Sequence, residues 1–330
     1  MIISKTPLRV TIGGGGTDLP SFYKNHGGFV ISVAIKKYMY ICINRSKIID
    51  SIRIKYSKSE DEKKLENIKH DIAKQCLKEF KINNDIEVVS VSDVPAGSGL
   101  GSSSAYAVGL IKCLSKLKKN NFTDKKIAET ACKIEIDKLK KPIGKQDQYI
   151  SSYGGLKKII ISKKGNVSVN NIEINDDVFK KFENSTLMFY TGDLRNNDKI
   201  LSEQKEKMDI VDDSSVSKIY REIKDIGKEI YKELLKGNMI KIGQLFDDHW
   251  HLKKKLARGI TSELYDDIYL MAKNNGAIGG KITGAGGGGF FTFICKENKR
   301  NKLIKKMEQK GFKNFEFRIE KNGSKIFGSI

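Results

Sequence analysis

Short apolar runs alternate with glycine clusters at the start of the chain. Residues 8–12, 29–33 and 38–43 are rich in Leu, Val, Ile, Tyr and Met, and glycines 13–16 separate the first two runs. Runs of this length bounded by glycine predict strands. Between 59 and 80 the period changes. Leu65, Ile68, Ile72, Cys76, Leu77 and Phe80 recur every three or four positions with Lys and Glu between them, which predicts one amphipathic helix. A strand at 86–91 leads into a second glycine cluster, and Ser102 is placed to cap a helix through Ala105, Val108, Leu110, Ile111 and Leu114. Thr123-Asp124 opens a further helix that reaches Glu135.

After Gly154-Gly155 the pattern predicts a strand at 156–161, a turn at 164–166 and a polar connection at 170–184. The second half predicts strands at 187–190 and 290–295 and an alternating strand through Phe315, Phe317 and Ile319. Charged helices are expected at about 199–235, 241–257 and 298–310, with a third glycine cluster at 284–289. Helices and strands interleave in both halves without a fixed repeat, so the expectation is mixed α and β layers. At 330 residues the chain exceeds the usual size of one core. Two domains are expected, 1–182 and 183–330, divided in the polar connection.

Composition narrows the classes. With 39% hydrophobic and 31% charged residues, the chain falls in the ordinary globular range. No run approaches the ~18 apolar residues of a membrane helix, and the first residues lack a secretory apolar segment. The expectation is a cytoplasmic protein, without a membrane partner. Five scattered cysteines without a CxxC pair suggest neither a disulfide framework nor a zinc site. The net charge of +21 comes from lysines spread along the whole chain rather than a basic stripe interleaved with aromatics, so no nucleic-acid partner is expected. His249 and His251 flank Trp250 in a helical pattern and read as packing and surface residues.

Each glycine cluster adjoins a strand, and glycine lets backbone N–H groups converge on an anion. The known phosphate loops do not match. A Walker loop fails because Gly280-Lys281 is followed by Ile282, and the glycine spacing at 97–101 is not that of a dinucleotide fold. What remains is strand, Pro95-Ala96-Gly97-Ser98-Gly99-Leu100-Gly101-Ser102-Ser103-Ser104, helix. That order aims a helix N-terminus at whatever the loop holds, which suits a triphosphate.

This loop resembles the phosphate-binding motif of the GHMP kinases. The stretch from Thr6-Pro7-Leu8-Arg9 through Gly14-Gly15-Gly16-Thr17-Asp18 resembles that family's N-terminal substrate motif, and Lys281-Ile282-Thr283-Gly284-Ala285-Gly286-Gly287 is similar to its C-terminal glycine motif. The three occur in family order. The resemblance implies an α+β, two-domain fold: a ribosomal S5-like N-terminal domain with a left-handed βαβ crossover, then a ferredoxin-like C-terminal domain. It also implies an ATP-dependent kinase using Mg²⁺, with Pro95, Gly97, Ser98, Gly99, Leu100, Gly101, Ser102, Ser103 and Ser104 around the nucleotide. By the same match Glu135 and Ser103 hold Mg²⁺, Asp147 faces the acceptor hydroxyl as base or orienter, and Arg9 stabilises charge on the transferring group. Asp18 accepts hydrogen bonds from substrate hydroxyls, and the loop from Thr283 onward closes over substrate or phosphates.

Gly15 and Gly16 stand where other members present larger side chains, which leaves room for a bulkier or anionic sugar. The 13–20 run, Gly144-Lys145-Gln146-Asp147 and Tyr190-Thr191-Gly192-Asp193-Leu194-Arg195 resemble the D-glycero-D-manno-heptose 7-phosphate kinases. That resemblance implies transfer to the anomeric O1 during heptose nucleotide synthesis, as for capsule or lipopolysaccharide precursors, with Lys145 and Arg195 on the existing phosphate. A fucokinase- or galactokinase-like enzyme for a neutral sugar and a non-catalytic sugar sensor remain open, as do monomer and homodimer.

Overall fold

A computed structural model describes residues 1–46, 48, 50–192, 202–203 and 215–329. An eight-stranded sheet contains, in order, β12 (Lys325–Ser329), β1 (Ile2–Gly13), β2 (Gly28–Arg45), β5 (Ile86–Ser92), β3 (Ile52–Lys55) and β4 (Ser59–Glu62). In addition β6 (Leu156–Ile161) pairs with β2, and β7 (Val167–Asn171) with β6. Among the described residues only β3 and β5 run parallel. The two strands expected at 29–33 and 38–43 are one long strand. The irregularity is absorbed where Pro7 pairs with Tyr38 and Leu8 with Ile35, which leaves the polar Lys36-Lys37 pair as a bulge in β2.

The helix expected over 59–80 is split. Residues 59–62 pair with β3 as β4, and Glu60 then accepts backbone N–H groups from Lys69 (2.5 Å) and His70 (3.0 Å). Only a single 3-10 turn, Leu65–Asn67, forms before α2 (Asp71–Glu79) begins, with the His70 ring accepting from the Ala73 N–H. Leu65, Ile68 and Ile72 are buried all the same. Helical spacing reported burial correctly but backbone path wrongly.

Helix α1 (Pro20–His26) precedes β2, and α3 (Ser102–Leu117) lies across β1 and β2. Gly109 permits the close approach, because a β-carbon there would meet Thr6 Oγ1 at 2.8 Å. Thr123 caps α4 (Asp124–Cys132), which widens into a π turn over Lys133–Lys138 before α5 (Gln146–Tyr153). Such widened turns interrupt the regular ladder and recur at functional sites. Here the turn carries Glu135.

The second sheet has the antiparallel order β11 (Lys313–Phe315), β8 (Thr186–Tyr190), β10 (Phe290–Cys295), β9 (Ala277–Ile282). Counted within this half, that is the 4-1-3-2 order of a ferredoxin-like sheet. Helices α7 (Ser215–Leu235), α8 (Met239–Lys253) and α9 (Glu263–Asn274) fall between β8 and β9, and α10 (Arg300–Gln309) between β10 and β11. The polar connection expected at 170–184 instead forms the end of β7 and α6 (Asp176–Ser185), capped by Asn175 and burying Phe182. The alternation of Phe315, Phe317 and Ile319 is not one strand. β11 ends at Phe315, and the chain then crosses to the first sheet, where Ile319 bridges Ile35. A single cut of the chain after 182 would separate β12 from its partner β1. One apolar cluster joins the halves, including Leu8 and Val10 from β1, Ile230 from α7, Ile242 and Phe246 from α8, and Phe290 from β10. Among the described residues no helix is long and apolar enough to cross a membrane.

Candidate active site

Arg9 projects from the middle of β1, and its backbone N–H donates to Leu100 in the glycine loop (3.1 Å). Its guanidinium donates Nε to Asp147 Oδ1 (2.7 Å) and Nη2 to Asp147 Oδ2 (2.6 Å), while Nη1 donates to the carbonyl of Gly99. This planar fork fixes Asp147, in the first turn of α5, against the loop. Space is minimal there, since a β-carbon at Gly101 would lie 3.2 Å from both Arg9 Cγ and Asp147 Oδ2.

Gly97, Gly99 and Gly101 all have positive φ, a backbone path open to glycine. Gly101, not Ser102, occupies the N-cap of α3 (φ +75), and no side chain caps the helix. The uncapped end leaves N–H donors for a ligand. Ser98 Oγ is buried without a partner. Beside the loop a cleft is lined by Pro95, Gly97, Ser103 and the ring cluster of Tyr56, His70 and Tyr106. The His70 and Tyr106 rings stack at 4.5 Å, and Tyr56 meets His70 edge-on at 4.7 Å. Scattered aromatics of this kind give no motif, so sequence reading missed them.

Glu135 is fully buried, accepting from Ser103 Oγ (2.7 Å) and Gln148 Nε2 (2.7 Å), while Gln148 Oε1 has no partner. Burial pushes its carboxyl pKa up, against the opposing effect of hydrogen bonds from Ser103, Ser104 and Gln148. A buried carboxylate beside a loop hydroxyl suits a hard cation that takes its other oxygens from phosphate and water.

On the other side of Arg9 and Asp147 a cavity opens between the halves. Arg9, Gly15, Gly16, Asp18, Asp147, Thr283 and Gly284 all line it. Asp18 accepts from the backbone N–H (3.0 Å) and Nε2 (3.1 Å) of Gln146 and from the Gly16 N–H (3.2 Å). Burial, with a contribution from Asp147, raises its pKa to about 6 despite these donors. The room expected at Gly16 is filled: a β-carbon there would lie 2.3 Å from the Tyr220 ring of α7. Gly15 meets only Thr11 at 3.1 Å or beyond, so the space persists there.

Other sequence candidates lie elsewhere. Gly14 and Thr17 do not line the cavity, and the Thr17 hydroxyl serves the carbonyls of Gly14 and Phe29. Gly286 and Gly287 pack on Ile260. Lys145, the N-cap residue of α5, donates to the Gly165 carbonyl (2.7 Å) beside Tyr23 and lines a separate cleft. Arg195 lies outside the described residues. The C-terminal glycine loop meets the 97–101 loop directly, with Gly99 against Thr283 and Gly284 and Gly289 against Ser98.

Three cationic or titratable residues of this cavity were not anticipated: His249, Lys253 and Lys281. His249 is one helical turn before Lys253 on α8, while His251 is on the exposed side. Lys281 opens the C-terminal glycine motif on β9 and was read only as part of it.

Two family models match the chain. The description "GHMP kinases N terminal domain" matches residues 67–155, and "GHMP kinases C terminal" matches 230–314. The chain belongs to the GHMP kinases. It is a sugar-kinase type of phosphotransferase with ATP as phosphate donor. It is similar to D-glycero-alpha-D-manno-heptose 7-phosphate kinase of Campylobacter jejuni, at 29% identity over 98% of each chain. Galactokinase of Pyrococcus furiosus is 28% identical over 90% of each. In fold it matches a solved D-glycero-D-manno-heptose 1-phosphate kinase from Bacteroides thetaiotaomicron with a TM-score of 0.80, 20% identity and full coverage of both chains.

Proposed function

We propose that this enzyme transfers the γ-phosphoryl group of MgATP to the anomeric O1 of D-glycero-D-manno-heptose 7-phosphate, giving the 1,7-bisphosphate. The observation that carries the reading is the Arg9–Asp147 pair at the junction of the phosphate loop and a cavity with surplus positive charge. The sugar hydroxyl meets Asp147, its oxygen forms the new bond to phosphorus as the bond to the β,γ-bridging oxygen breaks, and its proton passes to the carboxylate. Arg9, held by Asp147 and Gly99, lies where charge develops on the transferred group. Asp18 accepts from the sugar's other hydroxyls while Gln146 fixes its orientation. Ser103 and Glu135 are the oxygen ligands on offer to Mg²⁺, which when bound neutralises phosphate charge.

The cavity also favours an anionic sugar by simple balance. With both lysines protonated, Arg9, Lys253 and Lys281 outnumber the two carboxylates, Asp18 and Asp147. ATP turnover against the heptose 7-phosphate, unphosphorylated heptose, L-fucose, D-galactose and D-mannose tests the reading. Turnover confined to the heptose 7-phosphate supports it; preference for a neutral sugar refutes the substrate while leaving the chemistry.

A further inference from the structure

Helix α8 lies unusually close to β9. A β-carbon on Gly279 would sit 2.0 Å from the Gly243 carbonyl, so only glycine lets the helix settle there. That approach sets His249 and Lys253 of α8 over Lys281 of β9. Lys281 Nζ donates to the Ile12 carbonyl (2.7 Å) and to His249 Nδ1 (3.1 Å), and Lys253 Nζ donates to the carbonyls of Ile282 (2.8 Å) and Gly284 (2.6 Å). All three residues are buried.

Among the described residues neither lysine has a carboxylate partner. Both oxygens of Asp147 are engaged by Arg9, and those of Asp18 by Gln146 and Gly16. Two buried ammonium groups without counter-charge are costly to the fold unless a ligand supplies the charge. An ammonium has three N–H donors, and each lysine has used two. With His249 Nδ1 accepting, the imidazole proton is on Nε2 and adds another donor. The donors left over, one from each residue, equal the terminal oxygens of a phosphomonoester.

We propose that Lys253, Lys281 and His249 form the subsite for the phosphate that the sugar already carries, remote from its reacting hydroxyl. The assignment rests on reading this cavity as the sugar site. It takes the role expected of Lys145, whose amine donates to Gly165 in another cleft. Burial and the neighbouring Arg9 lower the pKa of Lys253 to about 7, and burial with repulsion from Lys253 lowers that of Lys281 well below its usual value, the direction expected of cations awaiting an anion.

The test compares wild type with Lys281→Met, Lys253→Met and His249→Gln, using heptose 7-phosphate and unphosphorylated heptose as acceptors. Each substitution is expected to cut the preference for the phosphorylated sugar about 10- to 100-fold, the loss typical of a charged hydrogen bond. A loss shared equally by both sugars, or a rise in KM for ATP in place of the sugar, overturns the subsite. Should the methionine variants unfold, His249→Gln and inorganic phosphate still decide. With a nonhydrolysable ATP analogue filling the nucleotide site, wild type should bind phosphate by calorimetry and the histidine variant should bind it more weakly. Equal binding by both, or none by wild type, refutes the proposal. Wild type that binds phosphate there yet does not prefer the heptose 7-phosphate keeps the subsite and removes only the proposed substrate.

Discussion

Gly144 and Asp18 are in contact so close that a β-carbon on Gly144 would lie 2.0 Å from Asp18 Oδ2. The absent side chain lets the carboxylate reach the Gln146 backbone N–H. Gly144→Ala should therefore displace Asp18 and lower kcat/KM for the sugar on the order of 100-fold, the effect of a misplacement near 1 Å. A stability loss of about 1–3 kcal/mol should accompany it. Steady-state kinetics and a denaturant titration check both; an unchanged KM and midpoint would contradict the assignment of Asp18.

Asp147→Asn removes the proton acceptor and leaves Arg9 with a weaker partner. We expect kcat to fall by about 10² to 10⁴ with KM for ATP changed little. A variant retaining most of wild-type kcat would show that the chemistry resides elsewhere.

Glu135→Gln separates binding from folding. Because the folded-state pKa of Glu135 is raised by burial, the folded protein holds more protons than the unfolded chain above ~4.3, and its stability falls as pH rises through that window. Glutamine removes this penalty, so the variant's melting temperature should gain on wild type as pH increases. Its requirement for Mg²⁺ should rise at least about tenfold. Identical Mg²⁺ titrations would remove Glu135 from the metal site.

Lys253 sets a pH limit on the sugar phosphate. Its folded pKa, lowered by burial and by Arg9 to about 7, means that the free enzyme loses this ammonium as pH rises above that value. KM for the phosphorylated acceptor should climb above pH ~7, approaching tenfold per pH unit, while KM for the unphosphorylated acceptor stays flat. Parallel profiles for both sugars would count against the role of Lys253.

The sequence exposed the parts of this protein whose physics is local. Gly97, Gly99 and Gly101 announce a loop of left-handed backbone because that requirement is written in residue type, and strands such as β5 and β10 follow from short apolar runs. What it hid was set by distant partners. The period over 59–80 was right about the buried face, but Glu60 reaching Lys69 and His70 decides the path. The N-cap of α3 went to Gly101, which frees the helix end that Ser102 would have closed. His249 looked like packing, and only the passage of α8 over β9, through Gly243 and Gly279, brings it beside Lys281. The space read at Gly16 was likewise taken by Tyr220 from a helix far along the chain.

Ile2 pairs with Ser329, and β1 is flanked by β12 on one side and β2 on the other. The strand that carries Arg9 therefore cannot acquire its full complement of neighbours during synthesis until residues 325–329 have left the ribosome. Vectorial folding of the first half must wait with an open sheet edge, at risk of pairing with another nascent chain. Removing those few residues should reach Arg9 by way of the sheet, without touching the cavity at all.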